Sequence, residues 1–306
     1  MAAFTPRGVF TALATPFTPD GAAVDWASYE ALVRAQVAAG VAGVVPCGTT
    51  GESPTLSDAE TARAIEIAVR LTAGSRTAVL AGTGSNDTAA AVAKTRAAKA
   101  AGAGAALVVS PYYNRPTQAG LLAHFTAVAA EGLPVVVYNI PGRAAVALAK
   151  ETLVALAALP GVVAVKDATG GLDMCTDLAL AAPALVTLSG DDALTLPFLA
   201  LGGRGAVSVV SNLCPRGSVA LVDAALAGDF TRARALHEAL LPLARAAFVE
   251  SNPAPIKALL ADAGVIACAA LRLPLVPLAA ESLARARAGA AATRAALAAL
   301  GIVEDA

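Results

Sequence analysis

Eight short apolar runs recur along this chain, most of them followed by a longer stretch of helical character. That alternation restricts the fold more than any other feature. The strand candidates are Val9–Ala14, Gly43–Pro46, Ala78–Ala81, Ala105–Val109, Pro134–Tyr138, Val162–Val165, Leu185–Leu188 and Ala206–Val209. Between them, Trp26–Ala39, Ser57–Thr72, Asp87–Ala101, Ala119–Glu131, Lys150–Ala158 and Leu172–Ala181 show helical periodicity or high helix propensity. Two of these helices carry a cap-like residue at the start: Ser57 ahead of Asp58 and Glu60, and Asp25 ahead of Trp26. Strands apolar on both faces belong in a parallel sheet covered by helices. Eight of them with intervening helices predict an α/β fold closed as a (β/α)8 TIM barrel, not an open sheet. From about Ser218 onward no strand pattern appears, and the Ala-rich run Ala280–Leu300 reads as helix. The expectation is a barrel over residues 1–225 and a C-terminal helical extension over 226–306. No low-complexity linker separates the two, so the extension should pack on the barrel.

Composition fits that plan. A length of 306 residues suits one barrel with an appendage, and 57% hydrophobic against 15% charged residues allows a large core. No run approaches the roughly 18 uncharged apolar residues of a membrane span. Residues Met1–Arg7 lack a basic leader followed by an apolar region, so a cytoplasmic location is expected. The net charge of -1, with neither sign gathered into runs, argues against nucleic acid or an anionic membrane as partner. Cys47, Cys175, Cys214 and Cys268 lie far apart and read as buried thiols, not as disulfides or a zinc site. The two histidines, His124 and His237, fall in separate helical segments, so no metal site is expected.

Barrel chemistry collects at the C-terminal ends of the strands. There the second strand leads into Gly48-Thr-Thr-Gly-Glu-Ser53, the fourth into Ser110-Pro-Tyr-Tyr-Asn-Arg115, and the fifth into Tyr138-Asn-Ile-Pro-Gly-Arg143. The sixth carries Lys166, the seventh leads into Ser189-Gly-Asp-Asp192 and the eighth into Val207-Ser-Val-Val-Ser-Asn212. A lysine inside the apolar run Val162–Val165 and its continuation is either a snorkelling strand-end residue or a desolvated, nucleophilic amine able to form a Schiff base. The Gly-Thr-Thr-Gly segment either closes a βα connection or offers hydroxyls and N–H groups to a small carboxylate. Tyr112 and Tyr113 are rim packing or functional phenols, and Arg143 caps a helix or holds a carboxylate bidentately. Asp191 and Asp192 fit loop hydrogen bonding better than metal binding, and Gly82-Thr-Gly84 and Gly202-Gly-Arg-Gly205 read as turns.

With these motifs in this order, the chain closely resembles the 4-hydroxy-tetrahydrodipicolinate synthase (dihydrodipicolinate synthase) family. That family belongs to the pyruvate-dependent class I aldolase superfamily, which also contains N-acetylneuraminate lyase. The resemblance spans nearly the whole chain and includes Gly48–Ser53, Ala81–Gly84, Pro111–Pro116, Tyr138–Arg143, Val165–Ala168, Leu188–Asp192 and Asn252–Lys257. It implies condensation of pyruvate with L-aspartate 4-semialdehyde, on the way to diaminopimelate and lysine, with no cofactor or metal. It also implies a homotetramer built as a dimer of dimers. By resemblance, Lys166 forms the imine with pyruvate C2 and Tyr138 is the general acid/base. Thr49 joins Tyr138 to Tyr113, which reaches across the tight-dimer interface. Thr50 holds the pyruvate carboxylate, Val207 and Gly190 line the pocket, and Arg143 binds the carboxylate of the aldehyde. An aldolase or dehydratase acting on a keto-deoxy sugar acid is the rival reading. The threonine-rich loop and Arg143 favour the synthase over the sialic-acid branch. In lysine-inhibited members an acidic residue grips the effector; that position falls on Ala90 here, and Asp58 and Thr61 stand where histidines are expected. Ser53, Asn86 and Tyr112 remain, so lysine feedback is expected to be weak or absent.

Overall fold

The structure, a computed structural model, describes residues 4–304. The first three residues of the segment Met1–Arg7 and the last two residues of the expected extension lie outside that range. Eight parallel strands close on themselves: β1 Gly8–Ala12, β2 Gly43–Val45, β3 Ala78–Gly82, β4 Ala105–Val109, β5 Val135–Asn139, β6 Val162–Asp167, β7 Val186–Ser189 and β8 Gly205–Ser208. They follow chain order around the barrel, and β8 pairs back onto β1. The (β/α)8 barrel expected from the alternating pattern is therefore the fold observed.

The helices are α1 Trp26–Ala38, α2 Asp58–Thr72, α3 Thr88–Ala100, α4 Gln118–Ala129, α5 Pro141–Ala144, α6 Lys150–Ala157, α7 Asp173–Ala181 and α8 Thr195–Ala200. They continue with α9 Pro215–Leu226, α10 Phe230–Ala246, α11 Ala254–Asp262 and α12 Ala280–Ala299. The two caps read from sequence are formed. Asp25 accepts the Ser28 N–H at 3.1 Å, and Ser57 and Glu60 exchange bonds as a capping box at the start of α2. Four residues of α5 and six of α8 are too few to establish a 3.6-residue period, which is why neither stood out in the pattern.

Side-chain alternation along each strand divides the core into two shells. Phe10, Val45, Leu80, Leu107, Val136, Ala164, Leu188 and Val207 fill the barrel interior. Val9, Val44, Val79, Val108, Val137 and Val165, one residue out of step, face the helices with Leu32, Ile65, Leu121, Phe125, Leu153 and Leu178. Each such fully buried side chain contributes roughly 1.5–3 kcal/mol before conformational entropy is set against it.

Four differences from the sequence reading stand out. Strands β5 and β6 run on through Asn139 and Asp167, because the ladder pairs Tyr138 with Lys166 and Asn139 with Asp167 whatever their polarity. Gly82 is the last residue of β3 and not part of a turn; a Cβ there would lie 2.2 Å from the Cys47 carbonyl oxygen. Gly205 likewise opens β8, leaving Gly202 in the turn before it. Cys47, Cys175 and Cys214 are buried free thiols, whereas Cys268, in the irregular segment between α11 and α12, is only half-buried.

Candidate active site

Strands β5 and β6 place Tyr138 and Lys166 side by side, both pointing into the barrel at its C-terminal end. The Lys166 Nζ lies 3.9 Å from the centroid of the Tyr138 ring, and the two residues are 6% and 5% exposed. The amine therefore faces the electron-rich π surface of the phenol. Among the described residues no carboxylate pairs with Lys166, whereas the other buried lysine, Lys257, is paired with Glu52. Gly190, just past β7, keeps the neighbouring wall open. A Cβ there would fall 3.0 Å from Lys166 Cε and 2.8 Å from Ala168 Cβ. Val207 on β8 is buried in the same interior cluster as Tyr138 and Leu188.

The loop after β2 folds tightly over this mouth. Gly51 and Ser53 both donate to the Gly48 carbonyl, at 3.1 and 3.4 Å, and Glu52 N donates to Thr49 O at 3.1 Å. Two of its residues, Cys47 and Glu52, take positive φ angles of 57° and 55°. The other non-glycine residues with positive φ, Tyr113, Arg115 and Ala145, lie in the loops after β4 and β5. Backbone strain is thus confined to the rim that carries the polar motifs, as functional sites commonly are. Thr50 is buried and its Oγ1 accepts from Asn252 Nδ2 at 2.9 Å, while Thr49 stays half-buried.

Arg143, in α5, is exposed, and its Nη2 donates to the Asn252 carbonyl at 3.3 Å. The rest of its fork is not committed to protein acceptors. Its one bond goes to a loop carbonyl and not to a helix end, so of the two roles left open by the sequence the helix cap is not formed, and the remaining donors face no protein acceptor among the described residues. Tyr113 is 87% exposed with a φ of 72°, and within one chain it makes no hydrogen bond to Thr49. Asp191 caps the single 3-10 turn beginning at Asp192, accepting from Ala193 N at 2.9 Å. The Asp192 carboxylate accepts from Ser208 Oγ and from the Val209 and Val210 N–H groups, at 2.8 and 3.2 Å for the latter two. Burial raises its pKa and these bonds oppose the shift. Both aspartates serve loop hydrogen bonding.

Three features of the site carry no warning in the strand-end pattern. Lys257, on α11, is buried completely and bonds Glu52 Oε1 at 2.6 Å, with that carboxylate equally buried. Burial pushes the Lys257 pKa down, and the Glu52 charge and hydrogen bond oppose it. Arg272 donates to Glu60, Thr55, Gly21 and Ala22, tying α2 to the loop after β1, and Glu52 accepts its backbone N–H at 3.1 Å. Lys257 and Arg272 both sit over the ring of Phe17, at 4.1 and 4.4 Å. The only sequence signals were a lysine inside Asn252-Pro-Ala-Pro-Ile-Lys257 and a lone arginine in the apolar, proline-rich run that follows.

Known proteins identify the family. The model of the dihydrodipicolinate synthetase family matches residues 5–292. A 4-hydroxy-tetrahydrodipicolinate synthase of Sorangium cellulosum is 54% identical over 273 residues, covering 88% of this chain and 90% of its own. The structure of the 4-hydroxy-tetrahydrodipicolinate synthase of Methylacidiphilum fumariolicum superimposes with a TM-score of 0.94 at 42% identity, over 97% of this chain and 99% of that one. A lysine-bound enzyme from Cyanidioschyzon merolae gives 0.91 at 37% identity, over 95% and 99%. By sequence, fold and coverage alike, this chain belongs to the dihydrodipicolinate synthetase family.

Proposed function

We propose that this protein condenses pyruvate with L-aspartate 4-semialdehyde to give 4-hydroxy-tetrahydrodipicolinate, the step that commits carbon to diaminopimelate and lysine. The observation that carries the reading is the unpaired Lys166 amine held over the Tyr138 ring in the barrel mouth. The amine attacks pyruvate C2 and water leaves, giving a protonated imine. The imine draws electrons from the methyl group, which loses a proton and becomes a nucleophilic enamine carbon. That carbon attacks the aldehyde, forming the new C–C bond. The amino group of the second substrate then attacks C2, closing the ring and expelling Lys166 as a free amine. Each proton transfer needs a group that both gives and takes. Tyr138 beside Lys166 is placed to do so, with Thr49 and a Tyr113 from a neighbouring subunit as the route to solvent.

Thr50 holds the pyruvate carboxylate, Gly190 and Val207 bound the pocket, and Arg143 receives the carboxylate of the aldehyde. The name 4-hydroxy-tetrahydrodipicolinate synthase, borne by the Sorangium and Methylacidiphilum relatives, supports this choice. Residues 1–225 act as the catalytic barrel in this reading, with 226–306 as an appendage that reaches back through Asn252 and Lys257. The assembly is a homotetramer, a dimer of dimers, in the cytoplasm; no described helix is long and apolar enough to cross a membrane.

Borohydride reduction in the presence of pyruvate, followed by mass mapping, should leave an adduct on Lys166 and none in Lys166→Ala. Product formation from pyruvate and the semialdehyde, coupled to an NADPH-dependent reductase, tests the substrate pair. Faster turnover with a sugar-acid aldehyde in the same assay would replace this assignment with the keto-deoxy sugar acid reading.

A further inference from the structure

One residue outside the barrel bonds to both of the groups assigned to the two substrate carboxylates. Asn252 lies between α10 and α11, about 200 positions from the loop after β2. Its side-chain Nδ2 donates to Thr50 Oγ1 at 2.9 Å, and its backbone carbonyl accepts from Arg143 Nη2 at 3.3 Å. The side chain is 5% exposed, and its Oδ1 is buried without a hydrogen-bond partner among the described residues. A second tie holds the same two segments together: Lys257, five residues on, bonds Glu52, two residues beyond Thr50, at 2.6 Å.

A threonine hydroxyl carries one hydrogen and two lone pairs. Unconstrained, Thr50 turns that hydrogen toward any acceptor in reach. A lone pair engaged by Asn252 removes that freedom, and the Thr50 hydrogen finds no protein acceptor among the described residues. The hydroxyl is left as a pre-oriented donor, the polarity a carboxylate requires. An amide turned the other way would instead take the Thr50 hydrogen and leave none for a ligand.

We infer that Asn252 is a positioning residue for the first substrate: it acts through Thr50, fixing that hydroxyl as a hydrogen donor to the pyruvate carboxylate. The inference rests on the reading of Thr50 given under the proposed function. Because only the backbone of Asn252 meets Arg143, altering its side chain should affect pyruvate and spare the aldehyde.

The test is a double-mutant cycle on the full-length enzyme with Asn252→Ala, Thr50→Val and the pair, measuring KM for each substrate, kcat and melting temperature. Asn252→Ala should raise the pyruvate KM about tenfold, in line with losing one hydrogen bond to a charged group. The aldehyde KM should stay within about twofold. In the Thr50→Val background the same change should add less than about twofold. Asn252→Asp, which takes the Thr50 hydrogen and adds a negative charge, should raise the pyruvate KM at least as far as alanine does. Effects that multiply in the double variant would overturn the inference, as would a parallel rise in both KM values or a wild-type pyruvate KM in Asn252→Asp. The underlying reading fails separately. In that case wild-type enzyme gives no borohydride-trapped adduct, or Thr50→Val alone leaves the pyruvate KM unchanged.

Discussion

Lys166 and Lys257 are both buried, at 6% and 0% exposure, yet their surroundings give them opposite roles. Lys257 is locked to a buried carboxylate and sits over Phe17, so its charge is committed to structure. Lys166 meets only an aromatic face and stays available for covalent chemistry. The space beside it depends on Gly190, whose substitution would press a methyl against Lys166 Cε at 3.0 Å and Ala168 Cβ at 2.8 Å. Gly190→Ala should therefore lower kcat/KM by roughly tenfold or more and also lower the melting temperature, because the added methyl would lie 2.9 Å from the Asp167 carbonyl oxygen, which cannot swing aside, as well as displacing the amine. Steady-state kinetics beside a thermal melt would show it. At this scale sequence carried far: the places of Lys166, Tyr138 and the loop after β2 at the barrel rim were legible because polar residues are conspicuous at the ends of apolar strands. Asn252 and Lys257 were not, since their partners Thr50 and Glu52 lie about 200 positions away and no local pattern announces a pairing of that range.

Among the elements, α2 and α11 bear most directly on the site. Loss of one partner from a buried ion pair strands a charge, so Lys257→Met should cost about 3–5 kcal/mol, read by denaturant unfolding. Adding Glu52→Gln to that variant should recover much of the loss, whereas additive destabilisation would argue against direct coupling. Helix α2 depends on Glu60, which closes the capping box and also bonds Arg272. That arginine, with help from Ser57, lowers the Glu60 pKa from 4.5 to about 2. A carboxyl depressed on folding favours the native state above its unfolded value and loses that contribution as pH falls through the folded one. The acid-side fall in melting temperature should therefore include a Glu60 component between about pH 4.5 and pH 2. Glu60→Gln should remove it, and an unchanged pH profile in that variant would contradict the assignment. The Glu60 side chain keeps 20% of its surface exposed, so salt should weaken the effect in part.

At the scale of the whole molecule, the exposed Tyr113 bears on the proposed assembly. Its phenol is 87% exposed, its backbone is held at positive φ, and it makes no hydrogen bond to Thr49 of its own chain. If a neighbouring subunit receives it, Tyr113→Phe should slow turnover by a smaller factor than Lys166→Ala while sedimentation still reports a tetramer; undiminished activity would remove it from the proton route. Lysine should inhibit weakly or not at all, because Ala90 on α3 offers no carboxylate and Asp58 and Thr61 on α2 offer no imidazole. Inhibition at sub-millimolar lysine in the coupled assay would overturn that expectation. What sequence determined by itself was the barrel and its sense. Periodicity and strand polarity are local properties, and eight parallel strands with covering helices have few ways to close. Tertiary structure alone decided which groups became neighbours across the rim. It set Lys166 against Tyr138 and drew Asn252 and Lys257 from beyond the barrel onto the loop after β2. Those contacts depend on strand stagger and on where the chain returns, which residues near each other in sequence do not encode.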